Sequence, residues 1–110
     1  MDVRRKSFVA ETTSRLAFLC DDHGFVGPEV TEPDEYPLLI RVRYHRADFD
    51  VEESLVLSYG GEEYVAATVI YPGRGPAQRT EIATGTAHTG FQMRRALNQQ
   101  AAAVRNFLPH

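Results

Sequence analysis

A segment of alternating apolar and polar residues, 49–71, dominates the hydrophobic pattern of this chain. Alternation with a period of two is typical of a half-buried β-strand. On both sides of a Gly-Gly pair at 60–61, apolar or small residues recur in this way: Val51, Leu55, Leu57 and Tyr59 before it, and Tyr64, Ala66, Thr68 and Ile70 after it. Glycine supplies the positive φ angles that a two-residue hairpin turn requires. The segment therefore predicts a β-hairpin that turns at these two glycines.

The register of this hairpin follows from the position of its turn. A two-residue turn places four pairs opposite each other: Tyr59 and Glu62, Leu57 and Tyr64, Leu55 and Ala66, and Val51 and Ile70. The apolar residues of both strands then share one face, which favours this register over a shift by one residue. Glu53 has the same phase as the apolar residues, so we expect a bulge or the end of the sheet there.

Helical spacing of apolar residues predicts one helix on each side of the strands. The first covers residues 7–22, and Gly24 is suited to the left-handed conformation that ends a helix, with Phe25 folding back onto it. The second begins near Thr86 and ends before Pro109. Its predicted buried positions are Met93, Ala96, Leu97, Ala101, Val104 and Leu108.

Three further segments complete the pattern. Residues 26–37 contain three prolines and four acidic side chains, which predicts a surface loop. Residues 38–45 alternate and predict a strand, whereas residues 80–84 fit either a short fourth strand or an irregular approach to the last helix. The order of elements is therefore α-β-β-β(-β)-α.

This order predicts an α+β fold in a single domain that spans residues 1–110. We expect an antiparallel meander sheet with both helices packed mainly on one face. A hydrophobic fraction of 43% and a length near the common domain size are sufficient for one core. The face of the sheet that contacts the helices is predicted to carry Ile40, Val42, Leu55, Leu57 and Tyr64.

The composition narrows the class of protein. The chain has no apolar run of about 18–20 residues, the length that a membrane span needs. Residues 1–6 are followed by a segment studded with polar residues, not by the apolar core of a signal peptide. Cys20 is the single cysteine and cannot form an internal disulfide, which fits a reducing compartment. We therefore expect a cytoplasmic protein that does not bind membranes.

The charge is distributed unevenly along the chain. The net charge is −3, but residues 21–63 carry twelve acidic and three basic side chains. A block of one sign either steers a partner of the opposite sign or serves only as solvated surface. Such a block repels a polyanion, and the calculated pI is about 5.8. We therefore expect no binding to nucleic acid.

No motif of the chain predicts a catalytic, cofactor or metal site. Cys20 and His23 are three residues apart, but a zinc site needs three or four ligands and no second pair has a recognisable spacing. Residues 73–75 match neither GxxxxGK[ST] nor GxGxxG. The carboxylates of residues 48–53 are abundant, but no pocket that would separate their pKa values can be recognised. We therefore predict no catalytic residue, no cofactor and no metal, and favour a binding protein over an enzyme.

The clearest functional signal is the face of the predicted sheet opposite the helices. It combines charged and apolar side chains: Arg41, Arg43, His45, Glu52, Ser54, Val56, Ser58, Glu63, Val65, Ala67, Val69 and Tyr71. Such a surface is either ordinary sheet packing or the apolar centre of a protein interface with a charged rim. The edge of the last strand offers a further docking position by strand addition. The predicted protein-binding residues are the acidic groups Asp48, Asp50, Glu52, Glu62 and Glu63 and the apolar groups Val56, Val65 and Val69.

Residues 18–25, Phe-Leu-Cys-Asp-Asp-His-Gly-Phe, place a leucine, a short polar stretch and Gly-Phe after the first helix. Together with strands at 40–45, 51–59 and 63–71 and a C-terminal helix, this pattern resembles small bacterial immunity proteins of polymorphic toxin systems. The resemblance implies a non-enzymatic protein that binds and neutralises a cognate toxin, and it supplies no catalytic residues. The acidic block suits a basic, nuclease-like toxin domain as the partner, and other toxin chemistries stay open.

Two other classes of protein stay open. The helix–strands–helix order also resembles type III secretion chaperone-like folds, which implies a homodimer that holds an extended client segment. The third class is a small enzyme or ligand-binding domain whose pocket residues are distant from one another in sequence. Apolar residues on the outer face of the sheet favour binding over catalysis.

Overall fold

Helices flank a continuous run of strands in the computed structural model, which describes residues 3–32, 38–58, 60–73 and 78–108. The predicted α+β fold class is therefore confirmed. The elements in chain order are α1 (Val3–Arg15), α2 (Ala17–His23), β1 (Val26–Thr31), β2 (Leu38–His45), β3 (Asp50–Leu57), β4 (Glu63–Tyr71), β5 (Gln78–Thr86) and α3 (Gly90–Phe107).

The strands form one antiparallel sheet whose spatial order, β1-β2-β3-β4-β5, is also their order in the chain. Each strand therefore pairs only with its neighbours in sequence, which is the predicted meander. β2 has the predicted bounds, and β5 shows that the ambiguous segment 80–84 is a strand. The final helix begins at Gly90 because the Thr89 side chain caps it, accepting a hydrogen bond from the Gln92 N–H at 3.0 Å.

β1 is a strand in a segment that the sequence pattern predicts as a loop. It contains Gly27 and Pro28, which disfavour strands, and all of its residues are exposed. Proline is tolerated at the edge of a sheet, where no partner strand requires its missing N–H, and β1 pairs with β2 alone. The loop prediction is therefore wrong for residues 26–31, while residues 33–37 lie outside the described residues.

The first predicted helix is interrupted at Leu16, which forms a turn between α1 and α2. Gly24 has a left-handed backbone, with φ of 75°, and ends α2 as predicted. The Phe25 N–H then donates a hydrogen bond to the Leu19 carbonyl at 3.1 Å, which folds the chain back onto the helix. This turn directs the chain into β1 at the edge of the sheet.

The pairing of β3 with β4 differs by one residue from the predicted register. Leu57 pairs with Glu63 instead of Tyr64. The Ser58 N–H donates to the Glu62 carbonyl at 3.0 Å, so the connection is longer than a two-residue turn at the glycines. Because side chains alternate along a strand, a shift of one residue moves every side chain of β4 to the other face.

This shift reverses the predicted faces of β4. Val65, Ala67 and Val69 point toward the helices and belong to the buried core. Tyr64, predicted to face the helices, lies on the opposite side of the sheet, since it alternates with these residues. The prediction that Val65 and Val69 are exposed contacts for a partner is therefore wrong. Tyr59 lies outside the described residues.

Both long helices pack on the same face of the sheet, as predicted. α3 lies over β4 and β5, and α1 lies over β2 and β3 and against α3. Among the described residues, no helix covers the opposite face of the sheet. The core between the helices and the sheet includes Phe8, Leu19, Ile40, Val42, Leu55, Val65, Val69, Met93 and Leu97.

Glu53 lies in the middle of β3 and points toward the helices. It pairs with Val42 and Ala67 in a regular ladder, so the predicted bulge or sheet end at Glu53 is wrong. Its exposed fraction is 2%, and its Oε2 has no hydrogen-bond partner among the described residues. Burial raises the pKa of the Glu53 carboxyl well above its ordinary value and outweighs a hydrogen bond from the Ser54 backbone, which acts in the opposite direction. The folded state therefore favours the protonated, neutral carboxyl.

Candidate functional site

The open face of the sheet, which is the face opposite α1 and α3, begins with a row of apolar side chains. Leu39 pairs with Val56, and Val56 pairs with Tyr64, so the three residues lie side by side across β2, β3 and β4. Each of them is half-buried. Apolar neighbours on adjacent strands pack against one another. The apolar row, Leu39-Val56-Tyr64, therefore forms one continuous contact surface.

Small side chains follow the apolar row. Ser54 pairs with Ala66, and Ala66 pairs with Thr84. The exposed fractions of Ser54 and Ala66 are only 8% and 3%, although no helix covers them in the described structure. Ala66 is not part of the main core cluster. These short, buried side chains therefore separate the apolar row from the charged groups beyond it.

An ionic cluster lies at the other end of the open face, with Glu52 at its centre. Arg79 donates a hydrogen bond to Glu52 Oε1 at 2.5 Å. Arg41 Nε lies 3.7 Å from Glu52 Oε1, and Arg43 Nη1 lies 3.9 Å from Glu52 Oε2. Glu52 is 3% exposed, whereas the three arginines are 31–46% exposed. The guanidinium groups therefore compensate a buried carboxylate whose desolvation would otherwise be costly.

Asp50 extends the ionic cluster toward β1. Arg43 Nε donates a hydrogen bond to Asp50 Oδ2 at 3.0 Å, and Arg43 Nη2 lies 3.0 Å from the same oxygen. His45 Nδ1 lies 3.0 Å from Asp50 Oδ2, and His45 Nε2 lies 3.2 Å from Glu29 Oε2. Side chains from β1, β2 and β3 are thus held in one network. Groups that are already fixed in position lose less conformational entropy when a partner binds.

Replacing Glu52 with glutamine is expected to destabilise the protein by roughly 1–3 kcal/mol, because three arginines lose their shared carboxylate. Water reaches the half-exposed arginines, so the cost stays below that of a fully buried ion pair. Urea unfolding monitored by circular dichroism measures this difference. Glu81→Gln is the matched control, since Glu81 is exposed and has no ion pair among the described residues, and it should change stability by less than about 0.5 kcal/mol. Equal stabilities of the two variants would contradict the stabilising role of the ionic cluster.

The structure brings together only part of the predicted protein-binding site. Asp50, Glu52 and Val56 lie on the open face. Val65 and Val69 have no exposed surface, so they cannot contact a partner directly. The predicted surface therefore keeps its charged end but loses two of its three apolar contacts.

The other three predicted acidic residues lie away from the open face. Asp48 is exposed and pairs with Arg46, whose hydrogen bond lowers the pKa of the Asp48 carboxyl. Glu63 pairs with His88 at 2.9 Å, and this hydrogen bond is the main cause that lowers the pKa of the Glu63 carboxyl. Glu62 is exposed in the connection between β3 and β4. The acidic block of the sequence is therefore divided among several surfaces, and most of its predicted site residues are paired.

Leu39, Tyr64 and Arg79 lie on the open face but are missing from the predicted site. Leu39 lies between the buried residues Leu38 and Ile40 of β2, so the alternation along this strand already predicts that Leu39 faces away from the core. Tyr64 was assigned to the wrong face because the predicted turn was too short. Arg79 precedes the segment 80–84, whose assignment as a strand was ambiguous. A connection between β3 and β4 that is longer than two residues shifts the register by one and places Tyr64 on the open face.

The described residues contain no group of three or more His, Cys, Asp or Glu side chains that could hold a metal ion. The Cys20 thiol instead donates to the Gly27 carbonyl at 3.6 Å. Within the described ranges, no helix is both long and apolar enough to cross a lipid bilayer.

The fold and the open face define a one-sided α+β protein with a mixed apolar and ionic surface. Comparison with known proteins finds no match, since no family model fits the chain and no curated protein or solved structure is significantly similar to it. The function must therefore be inferred from the geometry of the molecule.

Proposed function

We propose that this protein is a non-enzymatic binding module whose open face docks on another protein. The observation that supports this proposal is the one-sided packing of α1 and α3, which leaves the half-buried apolar row without a helix over it in the described structure, beside the ionic cluster. Protein interfaces typically combine an apolar centre with a polar rim. Exposed apolar patches that are rimmed by polar residues commonly mark sites of protein–protein interaction.

Each part of the open face has a distinct role in this proposal. The apolar row supplies the anchoring contacts, and Tyr64 in it belongs to a residue type that is enriched among energetically dominant interface residues. The ionic cluster supplies specificity, because charges at fixed positions disfavour partners of the wrong charge pattern.

Within this class, we infer an immunity-type protein that neutralises a cognate toxin in the cytoplasm. The Gly24-Phe25 turn after α2, the meander sheet and the final helix are the features on which the resemblance to immunity proteins rests. A basic toxin domain stays a prediction. Arginines hold Asp50 and Glu52, so the attraction of these carboxylates for a basic partner is weaker than their number suggests.

Site-specific photo-crosslinking in cells that naturally contain the protein tests this proposal. A photoreactive phenylalanine derivative placed at Val56 samples the open face, and the same group at the exposed Ala102 on α3 is the matched control. We expect one specific protein to be captured from position 56 and not from position 102. Capture of the same protein from both positions, or from position 102 alone, would contradict docking through the open face.

Binding kinetics of the captured partner then test the role of the apolar row. Val56→Asp should accelerate dissociation by at least about tenfold, because interface anchors act mainly on the dissociation rate, whereas Ala102→Asp should not. In cells that produce the partner, wild-type protein should restore growth and Val56→Asp should not. Unchanged kinetics in Val56→Asp would overturn the proposed surface. Turnover of a small molecule, abolished by one pocket substitution, would overturn the non-enzymatic assignment.

A further inference from the structure

β5 is an edge strand, and its outer side faces no other strand in the described part of the chain. Residues 78–81 are all exposed, as are Thr84 and Thr86. The Ala87 N–H donates to the Glu63 carbonyl of the neighbouring strand at 2.9 Å. In an antiparallel ladder, alternate residues direct their backbone groups to opposite sides. The backbone N–H and C=O groups of Thr84 and Thr86 therefore point to the outer edge of the sheet, where no described strand pairs with them.

A cleft of about 270 Å³ lies beside this edge, between β5 and α3. The two elements approach closely because residue 85 is glycine, where a Cβ would lie 2.9 Å from the Ala96 Cβ. The only charged side chain among the described residues that line the cleft is Arg95. The complete lining is Gly85, Thr86, Gln92, Arg95, Ala96 and Gln99.

The helix that forms one wall of this cleft is basic. α3 carries three arginines and no acidic side chain. Arg94 and Arg95 are exposed, and neither forms an ion pair with any described residue. An uncompensated positive charge at the cleft attracts anionic groups.

We propose that the edge of β5 binds an extended acidic segment of another protein by strand addition. The backbone of the segment pairs with Thr84 and Thr86, and one Asp or Glu side chain enters the cleft and accepts hydrogen bonds from Arg95. Side chains alternate along a strand, so the residues on either side of this acid point away from α3. Backbone pairing supplies affinity, and the charge-assisted hydrogen bond to Arg95 supplies the preference for an acid.

This edge site is distinct from the open face that carries the proposed function. Arg95 belongs to α3, which covers the opposite face of the sheet from Val56. Val56→Asp should therefore leave binding at the edge of β5 unchanged within about twofold. Val56→Asp therefore reports on binding at the open face and Arg95→Gln on binding at the edge of β5, so failure of one proposal is distinguishable from failure of the other.

Selection from a displayed library of random peptides of about ten residues tests the edge site directly. The wild-type protein should enrich sequences with Asp or Glu at one fixed position between residues that favour strands. Arg95→Gln should lose this acidic preference, whereas Arg94→Gln is the matched control and should keep it. Enrichment without an acidic position, or an acidic preference that survives in Arg95→Gln, would overturn the proposal.

The most enriched peptide then serves as a probe in fluorescence anisotropy. Changing its acidic residue to the amide, or Arg95→Gln in the protein, should each weaken binding by about tenfold, and the two changes together should weaken it little further. Thr86→Pro removes an outward N–H that the fold does not use, so it should keep the fold and abolish binding. Binding that survives in Thr86→Pro would overturn strand addition. Self-association of the wild type that Thr86→Pro abolishes would instead identify a second copy as the occupant and overturn the proposal.

Discussion

Replacing Glu53 with glutamine is expected to stabilise the protein at neutral and alkaline pH. The Glu53 carboxyl is buried beneath the helices, and its Oε2 has no hydrogen-bond partner among the described residues. In the folded wild type, burial disfavours the ionised form of this group, whereas glutamine is neutral at every pH. The advantage of the variant therefore comes from removing a group that has to bind a proton at pH values where a free carboxyl has lost it.

The direction of the pH dependence follows from the raised pKa of Glu53. In the unfolded chain this carboxyl ionises near its ordinary value of 4.5, while in the folded state its pKa is well above that value. Below pH 4.5 both states hold the proton, so wild type and Glu53→Gln should respond to pH in the same way. Above it, unfolding releases a proton, so the wild type loses stability relative to the variant by about tenfold in the unfolding equilibrium per pH unit. This loss ends once the pH exceeds the pKa of the folded state.

Urea unfolding of both proteins between about pH 4 and pH 9 measures this linkage. Glu52→Gln supplies a control from the adjacent residue, because Glu52 is equally buried but has arginine partners. At neutral pH the same substitution should therefore stabilise at position 53 and destabilise at position 52. A stability difference between wild type and Glu53→Gln that does not change with pH would contradict the protonated, buried carboxyl.

Val65→Asp is expected to unfold most of the protein, whereas Val56→Asp should leave it folded. Val65 has no exposed surface and lies beneath α3, while Val56 is half-buried on the open face. The first substitution loses the burial of a valine side chain and places a carboxylate in the core, which together cost about 4 kcal/mol or more. Since small domains have a total stability of roughly 5–15 kcal/mol, such a loss is severe.

Circular dichroism and thermal unfolding of these two variants test the observed register of β3 and β4. Under the register predicted from the sequence, both valines lie on the exposed face and both substitutions would be tolerated. Under the observed register only Val56→Asp retains a cooperative transition. Two equally stable variants would therefore contradict the pairing of Leu57 with Glu63.

The fold class was predictable because it depends on patterns that local physics determines. Alternation along β2 and β3, helical spacing in α3 and the left-handed Gly24 each follow from residues that are close together in sequence. The register of β4 was not predictable in this way. Its sequence is apolar or small at nearly every position from Val65 to Ile70, so either face fits a core, and only the length of the preceding connection decides.

The candidate site was less predictable than the fold, because its charges depend on contacts between distant strands. Glu52 and Arg79 are far apart in sequence, yet their side chains form a hydrogen bond at 2.5 Å. Glu52 and Glu53 are neighbours of identical type, but Glu52 is surrounded by arginines, whereas Glu53 Oε2 has no hydrogen-bond partner in the described part of the chain. A count of acidic residues along the chain cannot distinguish these two environments.

The position of α3 after all five strands determines when the protein can complete its fold during synthesis. α1 precedes the sheet, but the inner side of β4 and β5 is covered by α3. While the ribosome is still making α3, Val65 and Val69 have no helix over them, although every strand has already been made. A chain that is released before α3 is complete exposes this apolar surface and is open to aggregation or chaperone capture. A chain truncated within α3 should therefore be degraded or aggregate, instead of accumulating as a folded protein with reduced affinity for its partner.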